Sequence, residues 1–133
     1  LNLPETSFIA KGDYTQIQQC LMNLIFNAIE SMTSGGTLTL SGGRNLEKNT
    51  VWVSVADTGY GIDPEDLPRI FEPFYTTKKE GKGVGLGLSM VYGIIREHEG
   101  TVEVHSETGQ GSLFKITLPA GVETLSETKG EDP

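Results

Sequence analysis

Val51-Trp52-Val53-Ser54-Val55-Ala56-Asp57-Thr58-Gly59-Tyr60-Gly61 is the stretch that decides the fold. Val51 to Ala56 is β-branched and alternating, which predicts a strand with two unlike faces. That strand delivers Asp57 to the end of a sheet, with two glycines directly behind it. A carboxylate so placed offers an acceptor to a ligand, and glycines let a backbone pass close by. Asp-x-Gly also builds ordinary turns, so the tripeptide alone leaves both readings open.

Working upstream, Thr37 to Leu40 alternates polar and apolar residues and reads as the partner strand, joined through a turn at Gly42, Gly43 and Asn45. Before it, Ile17, Leu21, Leu24, Ile25, Ala28 and Met32 recur at helical spacing and predict one long helix with a single buried stripe. Asp13 after Gly12 supplies its N-cap, and Ser34-Gly35-Gly36 is expected to end it. Asn23 and Asn27 lie one turn apart, beside Phe26 and Glu30, on a flank pointing away from that stripe. Asparagines on such a flank are ordinarily solvated. Residues 5 to 10 suggest a short first strand.

Downstream, Asp63-Pro64-Glu65-Asp66-Leu67 reads as a short capped helix with Asp63 at the N-cap and Pro64 at the first helical position. Arg69 to Lys82 fits neither period. It carries Phe71, Phe74 and Tyr75 together with Lys78, Lys79 and Lys82, a composition that suits a lid with docking aromatics and phosphate-seeking lysines, or a hydrophobic satellite under solvated lysines. Then Gly81-Lys82-Gly83-Val84-Gly85-Leu86-Gly87-Leu88 sets four glycines at alternate positions before a helix predicted over Ser89 to His98. Bare N–H groups ahead of a helix N-terminus form an anion-binding nest, although a flexible loop is the plainer alternative. Leu88, Val91, Tyr92 and Ile95 mark the face of that helix packed on the sheet, and Gly100 closes it. Thr101 to His105 and Ser112 to Leu118 alternate and pair through Gly109-Gln110-Gly111. From Ala120 the composition supports no core, so residues 120–133 read as a flexible polar tail and residues 1–119 as one domain.

The whole chain has 133 residues, 36% of them hydrophobic, enough for one core and too few for a second domain. A net charge of -8 argues against a nucleic-acid surface and requires local donors for any anionic ligand. The single cysteine, Cys20, excludes an internal disulfide and points to a reducing, cytoplasmic compartment. No apolar run approaches the roughly 18 to 20 residues of a membrane span, so no membrane contact is expected. The start at Leu1 without an initiator methionine reads as a piece of something longer.

Known nucleotide and hydrolase motifs are missing. Gly81-Lys82 lacks the upstream glycine and following hydroxyl of a Walker A loop, and the glycine run does not fit G-x-G-x-x-G. There is no G-x-S-x-G and no H-E-x-x-H, while His98 and His105 fall on separate elements and read as packing or surface residues.

In order, however, the pieces resemble the ATP-binding catalytic domain of bacterial sensor histidine kinases, in the superfamily shared with gyrase B and heat-shock ATPases. Asn23-Leu24-Ile25-Phe26-Asn27 is similar to the N box and Asp57-Thr58-Gly59-Tyr60-Gly61 to the first glycine box. Phe71-Glu72-Pro73-Phe74 resembles the F box, Gly83-Val84-Gly85-Leu86-Gly87-Leu88 the second glycine box, and Gly109-Gln110-Gly111-Ser112 the last turn of the family. Phe74-Tyr75-Thr76-Thr77-Lys78 looks most like the subgroup related to nitrogen-regulation kinases. The resemblance spans residues 4 to 119.

It implies an α+β, two-layer sandwich of the Bergerat type, with a mixed, mostly antiparallel sheet of about five strands, three helices on one face, and ATP under a mobile lid. It makes Asn23 and Asn27 the catalytic pair and assigns Asn27 to Mg²⁺ and Asp57 to the adenine amine. Gly59 and Gly61 would let the backbone approach the base, Gly83, Gly85 and Gly87 would present N–H groups to the phosphates, and Ile62, Phe74, Val84, Leu86 and Leu88 complete the ATP-binding set, with Lys78 or Lys82 reaching the γ-phosphate. Three departures matter. Val84 replaces a frequent threonine, Glu30 stands where a basic residue is common, and Asn23 replaces the glutamate base of gyrase-type relatives. An asparagine accepts no proton from water, so slow hydrolysis is expected, with the phosphoryl group kept for another acceptor.

The implied acceptor is a histidine on a separate dimerisation domain of the same protein, with a response regulator beyond it, in two-component signalling. The piece itself would be monomeric and the parent a homodimer, with or without a membrane anchor. A serine kinase of the anti-sigma-factor type and a nucleotide-sensing pseudokinase are the rival readings.

Overall fold

The computed structural model describes residues 13–72 and 87–121. Asp13 begins the first helix, α1 (Tyr14–Glu30), as the sequence predicts: its Oδ1 accepts from the Gln16 N–H at 3.1 Å. The helix stops four residues before the predicted Ser34-Gly35-Gly36. Ser31 is its C-cap, and the Ser31 hydroxyl donates to the Ala28 carbonyl at 2.8 Å. A side chain that bonds back to the last turn competes with helix continuation, which the apolar spacing through Met32 could not reveal.

Two strands follow, β1 (Leu38–Asn45) and β2 (Thr50–Asp57). The predicted turn at Gly42 and Gly43 is strand instead. Gly43 pairs with Trp52, and a Cβ on Gly43 would lie 3.0 Å from the indole ring, so the glycine is there to let the ring lie across the strand. The chain reverses at residues 46–49, where Asn45 Oδ1 accepts from the Lys48 N–H at 3.1 Å and Asn49 takes φ 55°.

The predicted helix at 63–67 is a turn running into a single 3-10 turn, Leu67–Arg69. Pro68 has no N–H to give the carbonyl of Pro64, which removes the α-helical bond. Asp63, the expected N-cap, accepts instead from the Thr108 hydroxyl at 2.8 Å.

The second helix, α2, spans Gly87–Glu97. It closes in a Schellman motif: the Gly100 N–H reaches the Ile95 carbonyl at 2.8 Å and the Glu99 N–H the Arg96 carbonyl at 3.0 Å. The left-handed residue is Glu99, φ 62°, and not Gly100. Gly100 is required for another reason, since a Cβ there would land on the Thr117 carbonyl. The His98 ring joins the two helices. Its Nδ1 donates to the Ile94 carbonyl at 2.8 Å and its Nε2 accepts the Asp13 N–H at 3.0 Å.

Strands β3 (Thr101–Glu107) and β4 (Gly111–Pro119) form the predicted hairpin, with Gly109 at φ 80° and Gly111 at φ 115°. The sheet order is β1-β2-β4-β3, antiparallel throughout. Thus four strands and two α-helices are present among the described residues, against the five and three expected. The first strand expected at residues 5 to 10 lies outside them, as do 73–86 and 122–133.

One face of the sheet carries both helices. Cys20, Leu24 and Ala28 of α1 and Val91 and Ile95 of α2 bury against Val51, Val55, Phe114, Ile116 and Leu118. The β4 alternation is complete, with Ser112, Phe114, Ile116 and Leu118 all inward. Burial pushes the Cys20 thiol up to about 11.

Candidate functional site at the end of the central strands

The inward face of the sheet is apolar until its last row. There Asp57 of β2 pairs with Ser112 of β4, and Ser112 with Ser106 of β3, so three polar side chains lie in register across three strands. Asp57 is 9% exposed. Its Oδ1 accepts from the Gly59 N–H at 2.8 Å and the Ser112 N–H at 3.3 Å. Its second oxygen makes no hydrogen bond among the described residues. Two backbone donors on one oxygen fix the carboxylate and leave the other oxygen for a ligand.

The loop behind Asp57 is clamped on two sides. Toward α1, the Thr58 hydroxyl accepts from the Thr37 N–H at 2.9 Å, and the Tyr60 N–H donates to the Ser31 carbonyl at 3.2 Å. Toward the β3–β4 hairpin, the Gly109 N–H donates to the Tyr60 carbonyl at 2.7 Å and the Ile62 N–H to Ser106 Oγ at 2.7 Å. Both glycines of the loop are needed for this packing. A Cβ on Gly59 would strike Ser31, and one on Gly61, at φ 76°, would strike the Glu107 carbonyl. Their bareness thus admits the protein's own backbone. Ile62 packs half-buried against the core.

On α1, Asn23 and Asn27 are half-buried and not on the solvated side, where Phe26 and Glu30 stand. The Asn23 Nδ2 is a fully buried donor with no partner among the described residues. A Cβ on Gly87 would lie 3.7 Å from Asn23 Cγ and Oδ1, so α2 begins against this side chain. A buried amide donor without an acceptor costs about 1–3 kcal/mol, so this group suits a ligand that supplies an acceptor. Leu88 packs half-buried against the core.

Phe71 anchors the start of the expected F box, its ring 5.3 Å from that of Tyr92 and edge-on to Phe114 at 6.5 Å. Phe74, Lys78, Lys82, Gly83, Val84, Gly85 and Leu86 lie outside the described residues. Among the site residues that can be seen, the structure groups Asp57 with Gly59, Gly61 and Ile62, and Asn23 with Gly87. The turn carrying Asn27 meets the Asp57 loop through Ser31, whose N–H donates to the Asn27 carbonyl at 3.1 Å. Sequence reasoning missed Ser31, Thr58 and Ser106. Only Ser106 left a trace in the sequence, as a hydroxyl where the Val102, Val104 alternation calls for a third apolar residue.

Set beside known proteins, the sandwich with a buried acid at the end of its central strand is an ATP-binding domain homologous to the catalytic domains of bacterial sensor histidine kinases. The chain belongs to the family of histidine kinase-, DNA gyrase B- and HSP90-like ATPases, whose model matches residues 12–122. Sensor kinase CckA of Brucella abortus is 45% identical over 85% of the chain, and sporulation kinase C of Bacillus subtilis 40% over 89%. The chain spans 13% and 27% of the lengths of these two relatives. Among solved structures, ShkA in complex with AMPPNP aligns with a TM-score of 0.79 at 31% identity, covering 92% of this chain and 25% of that one. The nucleotide-free catalytic domain of histidine kinase ThkA aligns with a TM-score of 0.77 at 34% identity, covering 89% and 76%. No helix among the described residues is long and apolar enough to cross a membrane.

Proposed function

We propose that this domain binds Mg·ATP and presents the γ-phosphoryl group to a histidine on a dimerisation domain of the same protein, from which a response regulator receives it. The observation that carries the proposal is Asp57, buried and fixed by two backbone donors on one oxygen, with the second oxygen left as an acceptor at the sheet's end. That oxygen would accept from the adenine amine. A guanine or hypoxanthine, with a carbonyl at that position, would set acceptor against acceptor, so the base is read by sign.

Asn23 and the start of α2 fit the phosphate end, since Gly87 lies against the Asn23 side chain and the buried Asn23 Nδ2 has no partner among the described residues. The Asn27 side-chain oxygen would hold Mg²⁺, which would supply charge stabilisation at the phosphates. Asn23 cannot take a proton from water, so the phosphoryl group survives until an acceptor arrives, and catalysis is positioning with charge stabilisation. Lys78 or Lys82 would add positive charge at the γ-phosphate.

The test is incubation of the chain with γ-labelled ATP, Mg²⁺ and a histidine-bearing dimerisation domain of a sensor kinase. Acid-labile, base-stable label on that domain is expected, with none on the ATP-binding chain itself. Rapid release of free phosphate without transfer would refute the role given to Asn23. Label on serine would favour the serine-kinase alternative.

A further inference from the structure

We propose that Ser106 is a positioning residue of the nucleotide site, locking the Asp57 loop to the β3–β4 hairpin so that the free oxygen of Asp57 meets one base edge and not another. The proposal rests on the ATP reading above and extends it to a residue that would act through Asp57.

Ser106 lies on edge strand β3, at a position whose inward neighbours on the strand are Val102 and Val104. A hydroxyl there must find partners or lose stability. It finds three: its Oγ accepts the Ile62 N–H at 2.7 Å, donates to the Gly111 carbonyl at 3.1 Å, and lies 2.8 Å from Ser112 Oγ. A serine has one proton and two lone pairs. With its proton on Gly111, Ser106 takes the N–H of Ile62 and the O–H of Ser112, and all its capacity is used.

Two other bonds tie the loop to the hairpin, Gly109 N–H to the Tyr60 carbonyl and the Thr108 hydroxyl to Asp63. Ser106 differs because it also reaches the residues that abut Asp57. The Ser112 N–H donates to Asp57 Oδ1, and a Cβ on Gly111 would land on the Asp57 carbonyl. The segments on both sides of the acid are thereby joined through one oxygen. Removing it frees the Ile62 N–H and the Ser112 hydroxyl together, which lets Asp57 rotate without unfolding the strands that carry it.

The experiment measures ATP and ITP affinity by calorimetry and competition for the wild-type chain and for Ser106→Ala, Ser106→Cys and Ser106→Thr. Ser106→Ala is expected to weaken ATP by about tenfold and ITP by less than about twofold, because only the base reader is disturbed. Ser106→Cys, of nearly the same volume but a poor acceptor, is expected to shift the ratio in the same direction, and it carries the test if the alanine variant does not fold. Ser106→Thr keeps the hydroxyl and is expected to restore the wild-type ratio within about twofold. An equal loss of ATP and ITP would reduce Ser106 to a structural residue and overturn the proposal, as would an unchanged ratio. A wild-type chain that binds neither nucleotide overturns the ATP reading and this proposal with it, whereas a discriminating wild type beside a Ser106→Ala variant that keeps the same ATP-to-ITP ratio overturns this proposal alone.

Discussion

Replacing Asp57 by asparagine separates the two jobs of this side chain. In the native site one oxygen is occupied by the Gly59 and Ser112 N–H groups, and the other takes no hydrogen bond from a described residue. Asparagine can keep the first arrangement only by turning its carbonyl oxygen toward those donors, because its amide would otherwise face them with two more donors. The amide nitrogen then takes the place of the other oxygen. A donor now meets the adenine amine, so the variant loses a hydrogen bond to a charged acceptor, worth about 1.5–3 kcal/mol, and gains a donor–donor conflict of about 1–3 kcal/mol. The sum corresponds to a loss of at least about a hundredfold in ATP affinity. Stability changes much less: both backbone bonds remain and only their charge assistance is lost, about 1 kcal/mol, a drop of a few degrees in the melting midpoint. Because the new donor suits a carbonyl, ITP is expected to lose less than ATP. Calorimetric titration with both nucleotides, beside a thermal melt, checks all three statements. Unchanged ATP affinity with an intact melt would refute the assignment of Asp57 as the base reader, and equal losses for ATP and ITP would refute the argument from donor sign.

Three further outcomes follow from the backbone and core. Gly61→Ala forces a Cβ onto the Glu107 carbonyl at a left-handed φ of 76° and is expected to cost about 3 kcal/mol, whereas Gly109→Ala, at φ 80° with open space around it, costs about 1 kcal/mol; chemical denaturation distinguishes them. Glu99→Gly relieves the left-handed residue of the Schellman motif, φ 62°, and is expected to raise the melting midpoint by a few degrees. Cys20 is fully buried and its thiol is pushed from 9.0 up to about 11, so it resists alkylation in the native chain. Since the raised value favours the neutral thiol in the folded state, the associated stability is complete below pH 9.0 and is lost as pH rises from there through about 11, which a series of melts in alkaline buffers can follow.

Much of the fold was legible because it rests on periodicity. Ile17, Leu24 and Ala28 repeat at the helical spacing that a buried stripe demands, and the Ser112 to Leu118 alternation follows the pleat. Where local chemistry misled, a distant residue had overruled it. Gly42-Gly43 looks like a turn until Trp52 is laid across it. Asp63-Pro64 looks like a helix start until Pro68 withholds its N–H and Thr108 claims the carboxylate. The expected boundary at Gly35 gave way to a single hydroxyl, that of Ser31.

The site divides along the same line. Asp57 was legible because a carboxylate closing a β-branched strand is unusual, and Asn23 and Asn27 only through their order relative to it. The part that holds Asp57 in place was not legible, because its bonds join residues far apart in the chain: Ile62 to Ser106 spans 44 positions and Asp57 to Ser112 spans 55. Gly59 and Gly61 carry the sharper lesson. In the sequence they suggest room for a ligand, and in the structure that room is filled by Ser31 and Glu107. The glycines therefore act on Asp57, by letting the loop sit between α1 and the hairpin, where the Gly59 N–H orients the acid. The apolar face of the sheet ends in a polar row at this point, and that row places a buried carboxylate, one oxygen of which is unbonded among the described residues, where the core stops.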